Sequence, residues 1–392
     1  MKRLILIPTL LLGMLLVINA GLARGEPSRD EAQTQAAPPG WVIRTVDSGN
    51  VGQYASLALD SNGYAHVGYY DAEHAQLLYA HQDSLFGFTV WLTRTVDTAS
   101  GVGQYASLAL DPDTDQPCIA YFDNVGKNLK LAWQIGPSTW NNATIATTGE
   151  VGYYPSLAFR EGWAHVTYYD KTNGTLVYRK YDVAGPGFPS VTVVDHVATT
   201  TPYSSLKLRS SGNPSLSYYT GTSLNYAWSG DGGSTWYTAT IDGGTQHMGR
   251  FNSMALDTFE NGRISYLNDN TGDLKYAYWQ FGLPGHWANQ TVDSGVSSAK
   301  VGWYTSLALS DDGRIGISYY DSTNKDLKYA ERVGGEWRIT IVDQTDEVGW
   351  YTSLAFDAQG RPHIGYYDRT REALKYAYRN MTVFLPLVLR GD

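Results

Sequence analysis

The sequence contains a single cysteine, Cys118, and this scarcity excludes any disulfide within the chain. Burial of side chains and pairing of the backbone must therefore hold the protein together. Charged residues are also sparse, at 17% of the chain, and acidic residues outnumber basic ones by 38 to 29. The net charge of −9 disfavours nucleic acid and anionic lipid as partners, because both would repel an acidic surface.

Patterns of residues that carry chemistry are missing as well. The sequence has no Ser-His-Asp arrangement, nucleophile elbow, phosphate-binding loop or Cys/His cluster with metal-ligand spacing. The run Asp111-x-Asp113-x-Asp115 lacks the Gly and the Glu that a calcium loop requires. We therefore expect neither a metal ion nor a cofactor.

Only one long apolar run is present, from Leu4 to Ile18, and it lies at the start of the chain. Lys2 and Arg3 precede it, and the small residues Ala20 and Ala23 follow it, which is the pattern of a signal peptide over residues 1–23. We expect a secreted or cell-surface protein with no stable membrane insertion after cleavage. An uncleaved membrane anchor is the alternative.

Aromatic residues and glycine are abundant, with 30 Tyr, 12 Trp and 41 Gly, a composition typical of all-β folds. A polar, Pro-rich stretch at residues 24–40 is predicted to be a flexible leader, and residues 381–392 form a C-terminal tail. Between them, a motif of about fifty residues occurs seven times. The copies begin at Tyr54, Tyr105, Tyr154, Tyr203, Phe251, Tyr304 and Tyr351.

Each copy holds three β-rich runs separated by turn residues, and most copies add a fourth run that starts with Trp. This pattern predicts an all-β, seven-bladed β-propeller of four-stranded blades over residues 41–380. The last copy lacks a fourth run, and a matching one, residues 41–47, precedes the first copy. We expect this N-terminal strand to complete the last blade and close the ring. The run at residues 383–388 is an alternative, but Pro386 has no amide to donate.

One turn in the fourth copy, Ser229-Gly-Asp231-Gly-Gly233-Ser-Thr235-Trp236, matches the S-x-D-x-G-x-T-W Asp-box of BNR repeats. The chain therefore resembles the sialidase-like seven-bladed propellers of exported bacterial proteins. In that family the Asp-box is a structural turn away from the active site, so the resemblance implies fold more than function. A sialidase needs three arginines that grip a carboxylate, and few arginines lie near the expected ligand face, chiefly Arg250, Arg369 and Arg371.

We expect ligands on the face where the loop entering the first strand of each blade meets the loop after its second strand. A carboxylate follows the second strand in five copies, at Asp71, Asp123, Asp170, Asp321 and Asp368. These residues have a structural interpretation as turn caps and a functional one as acceptors for sugar hydroxyls.

The residue just before each repeated aromatic varies in size and charge, and packing alone would not need this variety. The seven residues are Gln53, Gln104, Tyr153, Pro202, Arg250, Trp303 and Trp350. All except Pro202 are predicted to bind ligand, together with Tyr54, Tyr105, Tyr304 and Tyr351. Trp303 and Trp350, from adjacent blades, are the candidates for an aromatic platform.

These features predict an exported, monomeric, non-catalytic module that binds carbohydrate or another extracellular polymer. A glycan-active hydrolase or lyase is one alternative, because a pair of carboxylates at the channel mouth could serve as acid and base. A protein-binding scaffold is another, since propellers carry many unrelated functions.

Overall fold

The computed structural model describes residues 37–185, 191–244, 247–282, 285–296 and 298–380. In these ranges, 28 strands form seven four-stranded antiparallel sheets, and the innermost strands of successive sheets contact one another around a ring. The predicted all-β, seven-bladed propeller is therefore confirmed. The predicted signal peptide, most of the leader and the C-terminal tail lie outside the described residues. Within the described ranges, no helix is long and apolar enough to span a membrane.

The first three blades follow the N-terminal strand β1 (Trp41–Ser48). Blade 1 contains β2 (Val51–Leu59), β3 (Ala65–Asp71), β4 (Gln76–Leu85) and β5 (Phe88–Asp97). Blade 2 contains β6 (Val102–Leu110), β7 (Pro117–Asp123), β8 (Asn128–Gly136) and β9 (Thr139–Ala146). Blade 3 contains β10 (Val151–Arg160), β11 (Trp163–Asp170), β12 (Thr175–Asp182) and β13 (Val191–His196).

The remaining blades repeat this order. Blade 4 contains β14 (Ser204–Leu208), β15 (Pro214–Tyr219), β16 (Leu224–Trp228) and β17 (Tyr237–Asp242). Blade 5 contains β18 (Met248–Leu256), β19 (Gly262–Asn268), β20 (Asp273–Gln280) and β21 (His286–Asp293). Blade 6 contains β22 (Val301–Leu309), β23 (Ile315–Asp321), β24 (Asp326–Val333) and β25 (Glu336–Asp343). Blade 7 contains β26 (Val348–Phe356), β27 (Pro362–Asp368) and β28 (Ala373–Arg379), and β1 is its fourth strand.

The N-terminal strand closes the ring as predicted. β1 pairs antiparallel with β28, from Trp41 opposite Arg379 to Ser48 opposite Ala373, so the strand is one residue longer than expected. The last blade thus combines the two ends of the repeat array. This pairing leaves blade 7 with the same four strands as every other blade and covers the edge of β28.

A ring of serines joins the inner strands of neighbouring blades. The serine two residues after each repeated aromatic accepts the main-chain amide of the next blade through its Oγ, at 2.9–3.0 Å. Ser353 of blade 7 accepts the amide of Leu57 in blade 1, which closes the hydrogen-bonded ring. The serines are Ser56, Ser107, Ser156, Ser205, Ser253, Ser306 and Ser353.

Two further contacts lock the outer part of most junctions. The tryptophan that begins a fourth strand packs on a tyrosine in the third strand of the preceding blade, for example Trp337 on Tyr276 at 5.3 Å. The aspartate near the end of a fourth strand accepts the hydroxyl of a buried tyrosine in the next blade, as Asp293 does from Tyr319 at 2.7 Å. The tryptophan and aspartate of the fourth strands, and the tyrosines that they contact, therefore have a structural role.

The junction between blades 2 and 3 is built differently. Ala146 stands where other fourth strands have the aspartate, and Leu131 stands where other third strands have the tyrosine. An apolar cluster replaces both contacts and contains Cys118, Phe159 and Val166, all at most 4% exposed. Apolar packing therefore substitutes for the polar lock at this junction.

Candidate functional site

Seven aromatic rings, one from each inner strand, form a closed annulus around the propeller axis. Neighbouring ring centroids are 4.4 Å apart for Tyr105 and Tyr154 and 5.2 Å apart for Tyr154 and Tyr203. Tyr351 meets Tyr54 at 4.5 Å and completes the annulus. Its members are Tyr54, Tyr105, Tyr154, Tyr203, Phe251, Tyr304 and Tyr351. The predicted site residues Tyr54, Tyr105, Tyr304 and Tyr351 thus lie in one surface at the channel mouth.

The residue just before each annulus ring, here called the rim residue, is set by a local bend of the backbone. In blade 7, Gly349 has a φ of 97° and Tyr351 a φ of 53°, and the pairing with β27 shifts on both sides of Trp350. Trp350 then lies opposite Tyr367, at the end of the second strand. A left-handed conformation in a tyrosine is strained, so the surrounding packing must hold it. The same bend recurs in every blade except blade 4, whose rim residue is Pro202.

The two tryptophans of the predicted platform are connected through an annulus ring. Tyr304 lies 6.0 Å from Trp303 and 5.3 Å from Trp350, measured between ring centroids. Trp303 also packs on Phe251 at 5.2 Å, and Trp350 packs on Tyr320 of blade 6 at 5.6 Å. Together they form one continuous aromatic surface across blades 5, 6 and 7.

Charged groups surround Trp350 and Tyr320 at the junction of blades 6 and 7. Arg369 donates to Glu347 at 2.7 Å and lies 4.6 Å from the centre of the Trp350 ring. The Tyr320 hydroxyl donates to the same carboxylate at 3.2 Å, and the Lys325 ammonium lies 3.7 Å from it. These five residues are called the 6–7 cluster.

An equivalent group of residues lies at the junction of blades 2 and 3. Lys171 donates to Glu150 at 2.6 Å and lies 5.5 Å from the centre of the Tyr153 ring. Tyr153 packs on Phe122 at 4.1 Å, and its hydroxyl donates to Glu150 at 3.1 Å. Lys127 lies 5.8 Å from the Phe122 ring. These five residues, the 2–3 cluster, occupy the same repeat positions as the five of the 6–7 cluster.

Both clusters keep their glutamate ionised. Hydrogen bonds from Lys171 and Tyr153 hold the pKa of Glu150 below its usual range. Burial opposes ionisation of Glu347, but the hydrogen bond and charge of Arg369, with Tyr320 and Lys325, together outweigh burial and lower the pKa. Burial raises the pKa of Tyr320 to about 12, so this phenol remains a donor. Each cluster therefore presents one carboxylate, two cations and two aromatic rings.

The other predicted rim residues have different surroundings. Arg250 donates to Asp269 at 3.1 Å, Lys300 donates to the same carboxylate at 2.8 Å, and the Arg250 guanidinium lies 5.8 Å from the Trp303 ring. Gln53 and Gln104 are half-buried, opposite the ends of their second strands. Blades 5 and 6 thus meet in an ion-paired network beside the aromatic surface.

The five predicted aspartates cap the turns that follow the second strands. Asp71 accepts the amides of Glu73 and His74, each at 3.0 Å, and is fully buried. Asp123, Asp170, Asp321 and Asp368 accept turn amides in the same way, at 2.8–3.0 Å for the shortest bond of each. This geometry agrees with their structural interpretation, and their role in binding remains a prediction.

The glutamates were missed by the sequence reasoning, although the sequence carries a signal for them. Glu150-Val-Gly-Tyr and Glu347-Val-Gly-Trp are the two copies of the Val-Gly element that a glutamate precedes. Their partners Lys171 and Arg369 come from a different loop of the same blade, so spacing alone does not reveal the pairing. The second aromatic ring of each cluster comes from the preceding blade, and the packing of adjacent blades brings the two rings together.

The Asp-box turn lies between the third and fourth strands of blade 4 and has the expected geometry. Asp231 accepts the amides of Ser234 and Thr235 at 3.0 and 2.9 Å. Trp236 packs edge-on against Tyr178 of blade 3, with ring centroids 5.2 Å apart. These contacts support a structural role for the turn.

Comparisons with known proteins find similarity of fold. No family model matches the chain, and no curated protein matches it. A mutant of AofleA from Arthrobotrys oligospora superposes with a TM-score of 0.53 at 15% identity, over 78% of this chain and 90% of that one. The six-bladed, fucose-recognising lectin of Aleuria aurantia gives a TM-score of 0.47 at 13% identity, over 69% and 89%. The intramolecular trans-sialidase of Ruminococcus gnavus gives 0.46 at 12% identity, over 88% and 98%. At 15% identity the AofleA superposition supports the fold alone, and the ligand must be inferred from the residues of this chain.

Proposed function

We propose that this chain is an exported, non-catalytic protein that binds carbohydrate at the 2–3 and 6–7 clusters. The observation that carries this proposal is that one set of groups recurs at two separate junctions on the same face. The other copies have Asn50, Gly101, Thr199, His247 or Lys300 where these two have glutamate. Decay of the repeat would not be expected to preserve five matching positions in two distant junctions.

The chemistry of each cluster is complementary to a sugar. Aromatic rings such as Trp350 and Tyr153 stack on the C–H faces of a pyranose. The carboxylates of Glu347 and Glu150 accept hydrogen bonds from sugar hydroxyls, and the neighbouring cations donate to hydroxyl oxygens. Two cations against one carboxylate give each cluster a positive excess, which also favours sugars that carry an acidic group.

The protonation state of the glutamates argues against hydrolysis at these clusters. A glycosidase needs a carboxyl group whose pKa is raised, so that it can protonate the leaving group near neutral pH. The pKa values of Glu150 and Glu347 are instead lowered by their cations. Both groups therefore suit ligand binding better than general acid catalysis.

A glycan array with the purified protein, followed by calorimetry with the best ligand, tests this proposal. We expect two sites per chain, and we expect Trp350→Ala or Tyr153→Ala to remove one site each. Loss of a central aromatic contact should weaken binding at the altered site by about 2 kcal/mol, roughly thirtyfold. Pro202→Ala is the matched control, because Pro202 is the rim residue of a junction without a glutamate and is not predicted to bind ligand.

The outcomes separate the candidate functions. Binding that survives in the Trp350→Ala, Tyr153→Ala double variant would contradict the proposed sites. Binding to none of the arrayed glycans would refute carbohydrate recognition. Release of reducing ends from a polysaccharide would instead support the hydrolase, and the Glu150→Gln and Glu347→Gln variants would then identify the active junction.

A further inference from the structure

The propeller axis continues below the annulus as a channel lined by the inner strands. Successive side chains of a strand alternate between its two faces, so the aromatic, the serine and the residue four positions after the aromatic share one face of the inner strand. In six copies this third residue is alanine, and in blade 4 it is Lys207. Lys207 lines a cavity of about 740 Å³ at the end of the channel away from the annulus. One lysine therefore lines the channel at a level where the other six copies have alanine.

Lys207 has no charged partner nearby in the described part of the chain. The side chain of Lys207 is exposed to the channel, but the protein around it still displaces water and lowers its pKa, and no carboxylate acts to raise it. The other charged residues that line the same cavity are Asp113, Arg160 and Arg209. Arg160 donates to Glu161 and Arg209 donates to Tyr226, so both guanidinium groups are engaged beside the channel. Glu161 and Glu260 pair with these two arginines, so Lys207 is the cation of this lining that has no carboxylate partner among the described residues.

Hydrogen-bond donors also dominate the adjoining part of the channel. A second cavity, of about 260 Å³, lies between the annulus and the level of Lys207, and no acidic residue lines it. Six of the seven ring serines, all except Ser353, line this cavity. Each Oγ already accepts an amide from the next blade, so its hydroxyl hydrogen remains to be donated. The serine of blade 4, Ser205, lies about 7 Å along the strand from Lys207.

We propose that this axial channel binds one small oxyanion, such as phosphate, sulfate or a carboxylate, between Lys207 and the serine hydroxyls. The Lys207 ammonium lines the channel without a carboxylate beside it, and an oxyanion would supply the missing counter-charge. The oxygen atoms of the anion also accept hydrogen bonds from hydroxyl groups, and charge-assisted hydrogen bonds are the stronger kind. The site is separate from the rim clusters and does not depend on carbohydrate binding.

Calorimetric titration of the purified protein with sodium phosphate, sodium sulfate and sodium acetate tests this site. We expect saturable binding of at least one of these anions, and a loss of about tenfold or more in affinity in Lys207→Ala. The other six copies already carry alanine at this position, so the variant should fold. Lys180→Ala is the control, because it removes the same charge from a lysine that packs on Trp163, 4.3 Å from the ring centre.

A second measurement reads Lys207 directly. After reductive ¹³C-methylation, each methylated lysine gives an NMR signal. The signal that is missing in the Lys207→Ala variant belongs to Lys207. Addition of the bound anion should raise the apparent pKa of that signal and leave the Lys180 signal unchanged. The proposal is overturned if none of the three anions binds saturably. It is also overturned if Lys207→Ala binds as tightly as the unaltered protein.

Discussion

Asp343, Tyr366 and Lys375 lock blade 6 to blade 7, and replacing Asp343 by Ala should strongly destabilise the ring. Asp343 is 4% exposed and Lys375 is 6% exposed, while Tyr366 is fully buried. The Tyr366 hydroxyl donates to the Asp343 carboxylate at 2.6 Å, and Lys375 donates to the same oxygen. Removing the carboxylate leaves a buried ammonium whose nearest remaining carboxylate is Asp368, at 3.7 Å. Loss of one partner of a buried ion pair costs about 3–5 kcal/mol, and this is the expected change in the free energy of unfolding.

The junction of blades 2 and 3 supplies the matched control. It has Ala146, Tyr168 and Val177 at the positions of Asp343, Tyr366 and Lys375, so the fold tolerates this apolar version. The Asp343→Ala, Lys375→Val double variant should therefore be more stable than Asp343→Ala, because it removes the buried ammonium that Asp343→Ala leaves with Asp368 alone as its carboxylate partner. Urea unfolding followed by tryptophan fluorescence measures both. The reasoning is refuted if Asp343→Ala lies within about 1 kcal/mol of the unaltered protein, or if the double variant is less stable than Asp343→Ala.

The same carboxylate makes the lock sensitive to acid. Burial raises the pKa of Asp343, but the charge and hydrogen bond of Lys375 outweigh burial and hold the pKa below its usual value. A carboxyl group with a lowered pKa in the folded state stabilises the fold at pH values above its unfolded pKa, about 3.9. This contribution is lost as the pH falls through the folded pKa. The stability difference between the unaltered protein and Asp343→Ala should therefore shrink below about pH 4, and a difference that grows there would contradict the assignment.

Two further predictions concern the inner strands. A residue with a Cβ pays roughly 1–2 kcal/mol for a left-handed backbone conformation. Gly152→Ala should destabilise the protein by more than this, because the new Cβ would lie 2.6 Å from the Leu129 Cα of the neighbouring blade. Gly162 also has a positive φ but has open space around it, so Gly162→Ala should cost only that backbone strain. Equal shifts of the urea midpoint in the two variants would contradict this account. Ser353→Ala should cost about 1–3 kcal/mol because it leaves the Leu57 amide without its acceptor. Faster hydrogen exchange of the Leu57 amide would check this loss, and unchanged exchange would argue against it.

Much of the architecture could be predicted because the repeat is long and regular. The seven copies, the four strands in each blade and closure by the N-terminal strand follow from alternating side chains and turn residues, and all are confirmed. The candidate site could be predicted only in part. Gln53, Trp303 and the other rim residues were predicted because they vary in a constant frame, and their part in binding stays a prediction. Their partners could not be found this way, because Glu347 and Tyr320 contact each other across a blade boundary.

The number of blades, the order of their strands and the recurring residues follow from the sequence, because these are local properties of the repeat and its turns. Which repeated residues contact one another depends on the tertiary structure. It placed Asp343 beside Tyr366 and Lys375 as a lock, and it brought Glu150 and Glu347 into matching clusters. It also brought Lys207 to the axis. These contacts depend on how adjacent blades approach one another, and that approach is set by the closure of the whole ring.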